Sequence, residues 1–316
     1  MKRSYLLLCL VLILSVAGCI ENSSKTTGPR IKKLTHVVKE TPDGNKYYLY
    51  RDVTYLEKGR NEKLDIYIPY NKLPGVGKFP AVLNIHGGGW REGYKSRLIT
   101  RRCAEAIVEK GYAVICNDYL LNTDERKAWP VNIYDCKTAL RYIRKVADLY
   151  DIDADNICVL GNSAGGHLAL LIGFSADSKE LNSGGLYKEY PTDVRCIVNI
   201  YGIPDLRDVE WGPKSFVNKG EDTKKVLSLV SPVAHLSTKS PPVLSVHGLK
   251  DELVPFSLSQ GLEKIMKSKG LEHEMFAVPE GRHAFTLYPD AVNGQTDLRP
   301  RVIKFLDKYS GLGKYR

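Results

Sequence analysis

Six short apolar runs without alternation recur along the chain, and they constrain its fold more than any other feature. A strand with one face in solvent alternates apolar and polar residues, whereas a strand of a parallel sheet covered by helices on both faces is apolar throughout. The runs are VLNI at 82–85, AVIC at 113–116, ICVL at 157–160, CIVNI at 196–200, VLSV at 243–246 and FAV at 276–278. The pattern therefore predicts a parallel sheet that is buried on both faces.

Segments with helical periodicity lie between these runs. Their apolar residues return every three or four positions, as on one face of a helix, over 99–110, 133–147 and 258–266. A last helix is predicted to begin near Pro300. Strands that alternate with helices in this way indicate an α/β fold with a doubly wound sheet and helices on both of its faces.

The chain before Pro69 has a different character. Leu64, Ile66 and Ile68 alternate with Asp65 and Tyr67, a pattern typical of a half-buried strand. We therefore expect antiparallel strands first and the mostly parallel sheet after them, in one domain over residues 45–316. With 43% apolar and 26% charged residues, the chain has enough hydrophobic content for a core, which excludes a disordered or fibrous protein.

One interval breaks the alternation of strands and helices. About 35 residues, 205–240, separate two predicted strands where a single helix would suffice. The interval is rich in charged residues and has one apolar cluster, 226–230, which is enough to pack one helix down. We expect a small cap insertion over the carboxyl ends of the strands.

The first 18 residues are a predicted targeting segment and not part of the fold. Two basic residues precede an apolar run over 6–16, which is too short to cross a bilayer and has the length of a signal-peptide core. The run leads into VAGC at 16–19, which resembles the bacterial lipobox, where cleavage precedes a Cys that becomes lipidated. We expect a lipid anchor on Cys19, a polar tether within 19–44 and a membrane-attached location in the bacterial cell envelope, periplasmic or surface-facing. The alternative is an ordinary secretory signal with an unrelated Cys.

The charge balance excludes one class of partner. The formal net charge is +10 and falls by two when Lys2 and Arg3 leave with the targeting segment, which is moderate for this length and does not indicate nucleic-acid binding. Five basic residues cluster after residue 90 with only Glu92 nearby: Arg91, Lys95, Arg97, Arg101 and Arg102. The cluster either attracts anionic glycans or lipid head groups or forms an ordinary solvated helix face.

Seven cysteines become five when Cys9 leaves with the targeting segment and Cys19 carries lipid. The five lie in apolar runs or on the apolar faces of predicted helices, where Cys behaves as a small buried hydrophobe, and an odd number cannot all pair. No CxxC pair or Cys/His cluster indicates a metal site, so neither a metal nor a cofactor is expected.

A sharp strand-to-helix turn is predicted at Gly161-Asn162-Ser163-Ala164-Gly165. It follows the strand ICVL and precedes the helical run HLALLIGF. This G-x-S-x-G pattern matches the nucleophile elbow, in which the serine backbone takes a positive φ and the hydroxyl stands above the sheet at the amino end of a helix. The alternative role for Ser163 is an ordinary helix N-cap in a glycine-rich turn.

A second glycine-rich turn supports the elbow. His86-Gly87-Gly88-Gly89-Trp90 follows the strand VLNI, and consecutive glycines leave backbone N–H groups unshielded. Such groups can converge on one oxygen, as an oxyanion hole requires. A phosphate-binding loop is the rival interpretation, but no Lys-Ser/Thr follows and G-x-G-x-x-G is absent.

A nucleophilic serine needs a base, and the base needs an orienting carboxylate. In a fold with this elbow the chain order is Ser, acid, His, with the last two on loops after later strands. Asp251 lies five residues beyond VLSV and His283 lies five residues beyond FAV, so both fit. The alternatives for the acid are Glu252, Asp205 and Asp208, and the other histidine after the acid, His273, begins a strand.

Four motifs in this order carry a family resemblance. HGGGW, GNSAGGHLA, SPPVLSVHGLKDELVP and EGRHAF together resemble the α/β-hydrolase esterases of the hormone-sensitive-lipase-like and feruloyl- and acetyl-xylan-esterase-like branch. The resemblance covers most of residues 45–310. It implies an α/β-hydrolase fold with Ser163 as the nucleophile, Asp251 as the acid and His283 as the base.

The same resemblance implies an oxyanion hole formed by the amides of Gly88, Gly89 and Ala164. The chain departs from the family at one position beside the nucleophile, where Asn162 replaces the usual Glu or Asp. A neutral amide still forms hydrogen bonds but removes a charge next to the site.

These observations predict a serine carboxylic-ester hydrolase that acts through an acyl-enzyme on short-chain, aryl or carbohydrate esters. Its substrates would be small-molecule or polysaccharide-linked esters. An arylformamidase or a peptidase on the same scaffold is the alternative among enzymes. A catalytically dead, lipid-anchored binding protein is the alternative outside them, although such a protein is expected to have lost the triad or the glycine turn.

Overall fold

The computed structural model describes residues 35–207, 209–290 and 295–316. The predicted targeting segment, Cys19 and much of the tether lie outside the described residues, as does Asp208. Among the helices that are described, none combines the length and the apolar character needed to cross a membrane.

All the strands of the described residues belong to one nine-stranded sheet. Their bounds are β1 Val37–Glu40, β2 Lys46–Val53, β3 Leu64–Pro69, β4 Phe79–Ile85, β5 Ala113–Asn117, β6 Ile152–Asn162, β7 Ile197–Ile200, β8 Val243–Gly248 and β9 His273–Val278. Each of the six apolar runs forms all or part of a strand from β4 to β9.

The strand order is β1-β2-β3-β5-β4-β6-β7-β8-β9. Pairing is antiparallel from β1 through β3 to β5 and parallel from β5 to β9. Because β4 lies between β5 and β6, the chain leaves β4 first towards one edge of the sheet and later towards the other. Such a reversal of strand order opens a crevice at the carboxyl ends of the strands.

Seven α-helices cover the sheet within the described residues. They are α1 Leu98–Val108, α2 Val131–Tyr150, α3 Ala164–Phe174, α4 Gly212–Phe216, α5 Thr223–Val230, α6 Phe256–Ser268 and α7 Arg299–Ser310. Apolar residues of α2, α3 and α6 pack in one core on one face of the sheet, and those of α1 and α7 pack in a second core on the other face. The predicted doubly wound α/β fold with helices on both faces is confirmed.

The prediction that β3 is only half-buried is wrong. Every residue of β3 is buried, including Tyr67 at 1% and Asp65 at 3% exposure. Tyr67 stacks on Tyr47 of β2 at a ring-centroid distance of 5.4 Å and packs into the core under α1. Asp65 accepts the amide of Asp52 at 3.0 Å, so its burial leaves the carboxylate with a partner.

The interval after β7 contains α4 and α5 and a short 3₁₀ turn at Pro232–His235. Asp222 caps α5, because its carboxylate accepts the amides of Lys224 and Lys225. Val226, Leu227 and Val230 are buried on the inner face of α5. The expected apolar cluster therefore packs one amphipathic helix, and the charged residues of α5 stay in solvent.

Candidate active site

The two glycine-rich turns meet because the strands that precede them are neighbours. In the parallel pair β4 and β6, Ile85 lies opposite Gly161, so both strands end at the same level of the sheet. The turn after β4 begins at His86 and the turn after β6 carries Ser163. Both therefore lie at the crevice where the strand order reverses.

Ser163 lies in a strained turn between β6 and α3. Its backbone has φ 54° and ψ −122°, which confirms the predicted positive φ. Glycine is required on both sides: a Cβ on Gly161 would lie 2.2 Å from the carbonyl oxygen of Gly165, and a Cβ on Gly165 would lie 2.1 Å from that of Ile85. Ser163 occupies the N-cap position of α3, as in the alternative interpretation, but its hydroxyl makes no capping hydrogen bond to the helix.

The structure brings Ser163, His283 and Asp251 into one hydrogen-bonded chain. His283 Nε2 lies 3.0 Å from Ser163 Oγ, and His283 Nδ1 lies 2.7 Å from Asp251 Oδ2. The carboxylate oxygen only accepts, so Nδ1 carries a proton and donates it to Asp251. In the neutral ring, Nε2 is then free to accept from the hydroxyl, which is the arrangement that a general base requires.

Asp251 is the carboxylate in contact with the base. Its side chain is fully buried, and Oδ1 accepts the amides of Leu253 at 3.0 Å and Val254 at 2.8 Å. Burial alone would raise the pKa of Asp251, but hydrogen bonds from His247, His283 and the Val254 amide outweigh it and hold that pKa well below its usual value. Asp251 therefore stays ionised throughout the neutral range.

The described alternatives for the acid lie elsewhere. The side chain of Glu252 is 82% exposed and lies 3.7 Å from Arg282. Asp205 accepts from Arg207 through both of its oxygens, at 2.8 and 2.6 Å. Of these three carboxylates, Asp251 is therefore the one that contacts His283. Asp208 lies outside the described residues.

A second histidine, His247, also contacts Asp251, and no role for it was predicted from the sequence. His247 is completely buried at the end of β8, with Nε2 2.9 Å from the Val254 carbonyl and 3.3 Å from Asp251 Oδ2. Because a carbonyl only accepts, Nε2 carries the proton, and Nδ1 of the neutral ring accepts from the Ser259 hydroxyl at 2.7 Å. In the sequence, the feature that could have indicated this contact is the position of His247 four residues before Asp251.

The turn after β4 depends on its glycines. Gly88 has φ +124°, and a Cβ there would lie 2.0 Å from the carbonyl oxygen of Glu92. Gly88 and Gly89 line the pocket together with Ser163, while Ala164 begins α3 directly after Ser163. All three residues that the resemblance assigns to an oxyanion hole are therefore close to Ser163 in the chain or in the pocket lining.

Trp90 anchors this turn to the interval after β7. Its buried ring packs against Phe216 of α4 at a centroid distance of 4.7 Å, and its Nε1–H donates to His167 Nδ1 at 3.2 Å. His167 Nε2–H in turn donates to the carbonyl of Val230 at 2.7 Å. Burial lowers the pKa of His167 to about 4, so this histidine is neutral and links α3 to the end of α5.

His86 also has a structural role. It stacks on Tyr119 at a centroid distance of 4.3 Å, and its Nδ1–H donates to the carbonyl of Gly87 at 2.8 Å. The Tyr119 hydroxyl donates to the carbonyl of His86 at 2.9 Å. Burial lowers the pKa of His86 to about 4.

A pocket of about 600 Å³ opens over Ser163. The glycine turn, Ser163 and His283 line it, together with Arg91, Glu92, Arg97 and the first turn of α1, and Leu253 and Ala284 also belong to the lining. No described residue of α4 or α5 lines this pocket. The interval after β7 thus contacts the glycine turn through Trp90, and its described residues do not line this pocket.

The five residues of the basic cluster differ in their ion pairs and in whether they line the pocket. Lys95 lies 2.8 Å from Asp52, and Arg101 and Arg102 both contact Glu105 at 3.5 and 3.1 Å. Of the five basic residues, only Arg91 and Arg97 line the pocket.

The five cysteines of the described residues, Cys103, Cys116, Cys136, Cys158 and Cys196, are buried free thiols. Burial raises the pKa of Cys103 to about 12 and also raises the pKa of Cys136 well above its ordinary value, so neither is a reactive thiolate. No cluster of three or more His, Cys, Asp or Glu suited to a metal ion occurs within 35–207, 209–290 and 295–316.

Known proteins resemble this chain in sequence. The BD-FAE family matches residues 64–266. Esterase LipQ of Mycobacterium tuberculosis is 29% identical over 246 residues, covering 75% of this chain and 57% of that protein. The probable carboxylic ester hydrolase LipM of the same organism is 30% identical over 251 residues, covering 76% of this chain and 57% of that protein. The chain therefore spans a little over half the length of these relatives.

The fold has relatives among solved structures as well. A truncated form of a carbohydrate esterase from gut microbiota superposes with a TM-score of 0.69 at 23% identity, over 83% of this chain and 96% of that one. At this identity the likeness concerns the fold alone, and it agrees with the mostly parallel sheet described above.

Proposed function

Because the chain belongs to the BD-FAE family, we propose that it is a serine carboxylic-ester hydrolase that works through an acyl-enzyme. The observation that carries the proposal is the hydrogen-bonded chain from Ser163 Oγ through His283 to Asp251, with distances of 3.0 and 2.7 Å. The names of the relatives support ester hydrolysis, and the position of Ser163 at the amino end of α3 supports nucleophilic attack.

In the proposed reaction, Ser163 Oγ attacks the ester carbonyl while His283 Nε2 takes its proton. The carbonyl oxygen becomes negative and receives hydrogen bonds from the amides of Gly88, Gly89 and Ala164. His283 then protonates the leaving alcohol, and the acyl group stays on Ser163. Water repeats the two steps and releases the acid, with Asp251 stabilising the imidazolium each time.

We infer that the substrates are short-chain, aryl or carbohydrate esters. A lipase needs a wide apolar surface for long acyl chains, but the buried apolar side chains of α5 pack inwards and its lysines face solvent. The pocket beside Ser163 contains Arg91, Glu92 and Arg97, which also disfavours a long hydrocarbon chain. The name of the solved carbohydrate esterase agrees with a sugar ester.

A series of 4-nitrophenyl esters tests both parts of this proposal. We expect kcat/KM to fall at least about tenfold from acetyl or butyryl to palmitoyl, which equals about 1.4 kcal/mol of transition-state binding. Ser163→Ala is the blank for the whole series. Rates that rise towards palmitoyl, with activation at a lipid interface, would contradict the substrate class, and unchanged turnover in Ser163→Ala would contradict the mechanism.

We further propose that Cys19 carries lipid and anchors the protein in the cell envelope. The support is the VAGC sequence at 16–19 behind the apolar run 6–16. Expressed in a bacterium, the full chain should incorporate labelled palmitate and partition into detergent. Cys19→Ala should do neither, and equal partitioning of the two proteins would refute the lipid anchor.

A further inference from the structure

Charged residues form part of the wall of the pocket over Ser163. Arg91, Glu92 and Arg97 line it together with Ile99 and Thr100 of the first turn of α1. A guanidinium forms its strongest hydrogen bonds with carboxylate and phosphate oxygens, so these two groups bear on the choice of substrate.

Neither guanidinium is committed to a buried partner. Arg91 pairs with Asp124, whose side chain is 85% exposed. Arg97 Nη1 lies 3.4 Å from Glu92 Oε1, and the Glu92 side chain is 72% exposed. Ion pairs with such exposed carboxylates are weak and screened by salt, so a carboxylate on a ligand can replace them. Arg101 and Arg102 differ, because both contact the buried Glu105.

The start of α1 adds positive potential to the same wall. Arg97 is the N-cap of α1, and the helix has neither a side-chain cap nor an acidic residue in its first turn. The partial positive charge of a helix amino end is normally neutralised by such groups. Here the first turn borders the pocket through Ile99 and Thr100.

The side chain of Thr100 is a second, independent observation that points to a ligand at this wall. It lines the pocket, is 1% exposed, and its Oγ1 has no hydrogen-bond partner among the described residues. A buried hydroxyl without a partner is costly, whereas a hydroxyl that donates to a bound carboxylate is satisfied. The unpartnered donor therefore lies in the wall that also carries the two guanidinium groups.

We propose that this wall, formed by Arg91, Arg97 and Thr100, binds a carboxylate carried by the ester substrate. The inference rests on the proposed esterase function and narrows its substrate class to anionic esters. The carboxylate belongs either to the acyl part, as in a monoester of a dicarboxylic acid, or to the alcohol part, as in a uronic acid. The group contributes binding energy beside Ser163 and takes no part in the chemical step.

Two pairs of esters test the proposal and distinguish the two sources. The acyl pair is mono-4-nitrophenyl adipate and 4-nitrophenyl hexanoate, and the alcohol pair is a monoacetylated methyl glucuronoside and the matching methyl glucoside. Each pair differs mainly in one carboxylate. The readout is the ratio of kcat/KM for the charged ester to that for the neutral ester.

In the wild-type protein we expect this ratio to exceed one in at least one pair, and the pair that shows it identifies the source. Arg97→Gln should lower the ratio about tenfold, mainly through KM of the charged ester, and Arg97→Lys should restore part of it. Arg101→Gln removes the same charge from the same helix outside the pocket and should keep the wild-type ratio.

A ratio of one or less in both pairs would overturn the proposal. So would an equal loss of the ratio in Arg97→Gln and Arg101→Gln, because the preference would then reflect net charge. Hydrolysis of the neutral esters without a charge preference refutes this inference alone. The absence of hydrolysis of all four esters, together with inactivity on 4-nitrophenyl acetate, refutes the proposed function as well.

Discussion

The two ends of helix α3 differ in how their free backbone groups are hydrogen-bonded. At the amino end, Ser163 stands at φ 54° without a side-chain cap, and the first turn contains no acidic residue. At the carboxyl end, the buried Lys137 of α2 donates from Nζ to Ser175 O and to Asn182 Oδ1, both at 2.9 Å. Asn182 Nδ2 also donates to Ala176 O at 2.6 Å. The amino end therefore has no side-chain cap, whereas carbonyls at the carboxyl end accept hydrogen bonds from side chains of the protein.

The difference follows from the helix dipole. Free amides at the amino end attract a negative oxygen in the pocket, whereas buried free carbonyls at the other end would be costly. Lys137 donates to the carbonyl of Ser175, and Asn182 donates to that of Ala176. We therefore expect changes at the amino end to affect catalysis and changes at the carboxyl end to affect stability.

The largest effect on catalysis is expected from Asp251→Asn, which changes the site at the amino end of α3. The amide still accepts from Leu253 and Val254, so the fold should persist, but His283 loses the carboxylate that orients it. We expect kcat to fall by a factor on the order of 10⁴, the size known for the same change in a serine protease. Steady-state kinetics at pH 7 measure this fall in kcat. Glu252→Gln is the matched control and should behave as wild type, and the reverse result would assign the acid to Glu252.

A smaller catalytic effect is expected from His247→Phe. Asp251 loses one donor, so its pKa rises towards the usual range, and the part of the acid limb of the kcat profile that reflects protonation of Asp251 should move to higher pH. We expect kcat at neutral pH to fall roughly tenfold, or about 1.4 kcal/mol. His247→Gln retains an N–H donor and should recover part of the loss. An unchanged acid limb in His247→Phe would show that this contact serves folding alone.

At the carboxyl end of α3, the expected effect is on stability. Burial, reinforced by Arg141, lowers the pKa of Lys137 from its ordinary 10.5 to about 7. Between these values the unfolded chain binds a proton that the native protein does not, so the free energy of unfolding should rise with pH. The slope is at most about 1.4 kcal/mol per pH unit, and it vanishes below the native pKa because both states are then protonated.

Urea unfolding at pH 7, 8 and 9 checks this slope. Lys137→Met should reduce the slope, and Lys145→Met, an exposed position on the same helix, should not. Other titrating groups near the cluster are Arg141 and His235, and both remain in the two variants. The kcat of folded Lys137→Met should equal that of wild type. A large loss of kcat in Lys137→Met would contradict the expectation that changes at the carboxyl end of α3 affect stability and not catalysis.

The framework of this molecule was predictable because it depends on local patterns. The non-alternating runs identify the strands from β4 to β9, since a strand covered on both faces has no polar side. The G-x-S-x-G elbow predicts its own strain, because both glycines are needed for a strand and a helix to approach closely. Chain order then narrowed the choice for the acid and the base.

Contacts between distant segments were not predictable from such patterns. The half-buried prediction for β3 failed because the partners that cover Tyr67 lie on β2 and α1. Lys137 falls within the helix predicted over 133–147, and only the tertiary fold sets it against the end of α3. Likewise, no local sequence pattern predicted that Trp90 would pack on Phe216 of α4, in the interval after β7.

The central claim is that Ser163, at the amino end of α3, is the nucleophile that forms the covalent intermediate. The most direct measurement is the mass of the protein and of its peptides after reaction with a fluorophosphonate, in which the serine oxygen displaces fluoride from phosphorus. We predict one phosphonyl group per molecule, located on Ser163, with loss of ester hydrolysis in proportion to labelling and neither labelling nor hydrolysis in Ser163→Ala. Labelling at another residue, or turnover by Ser163→Ala near the wild-type rate, would contradict the account.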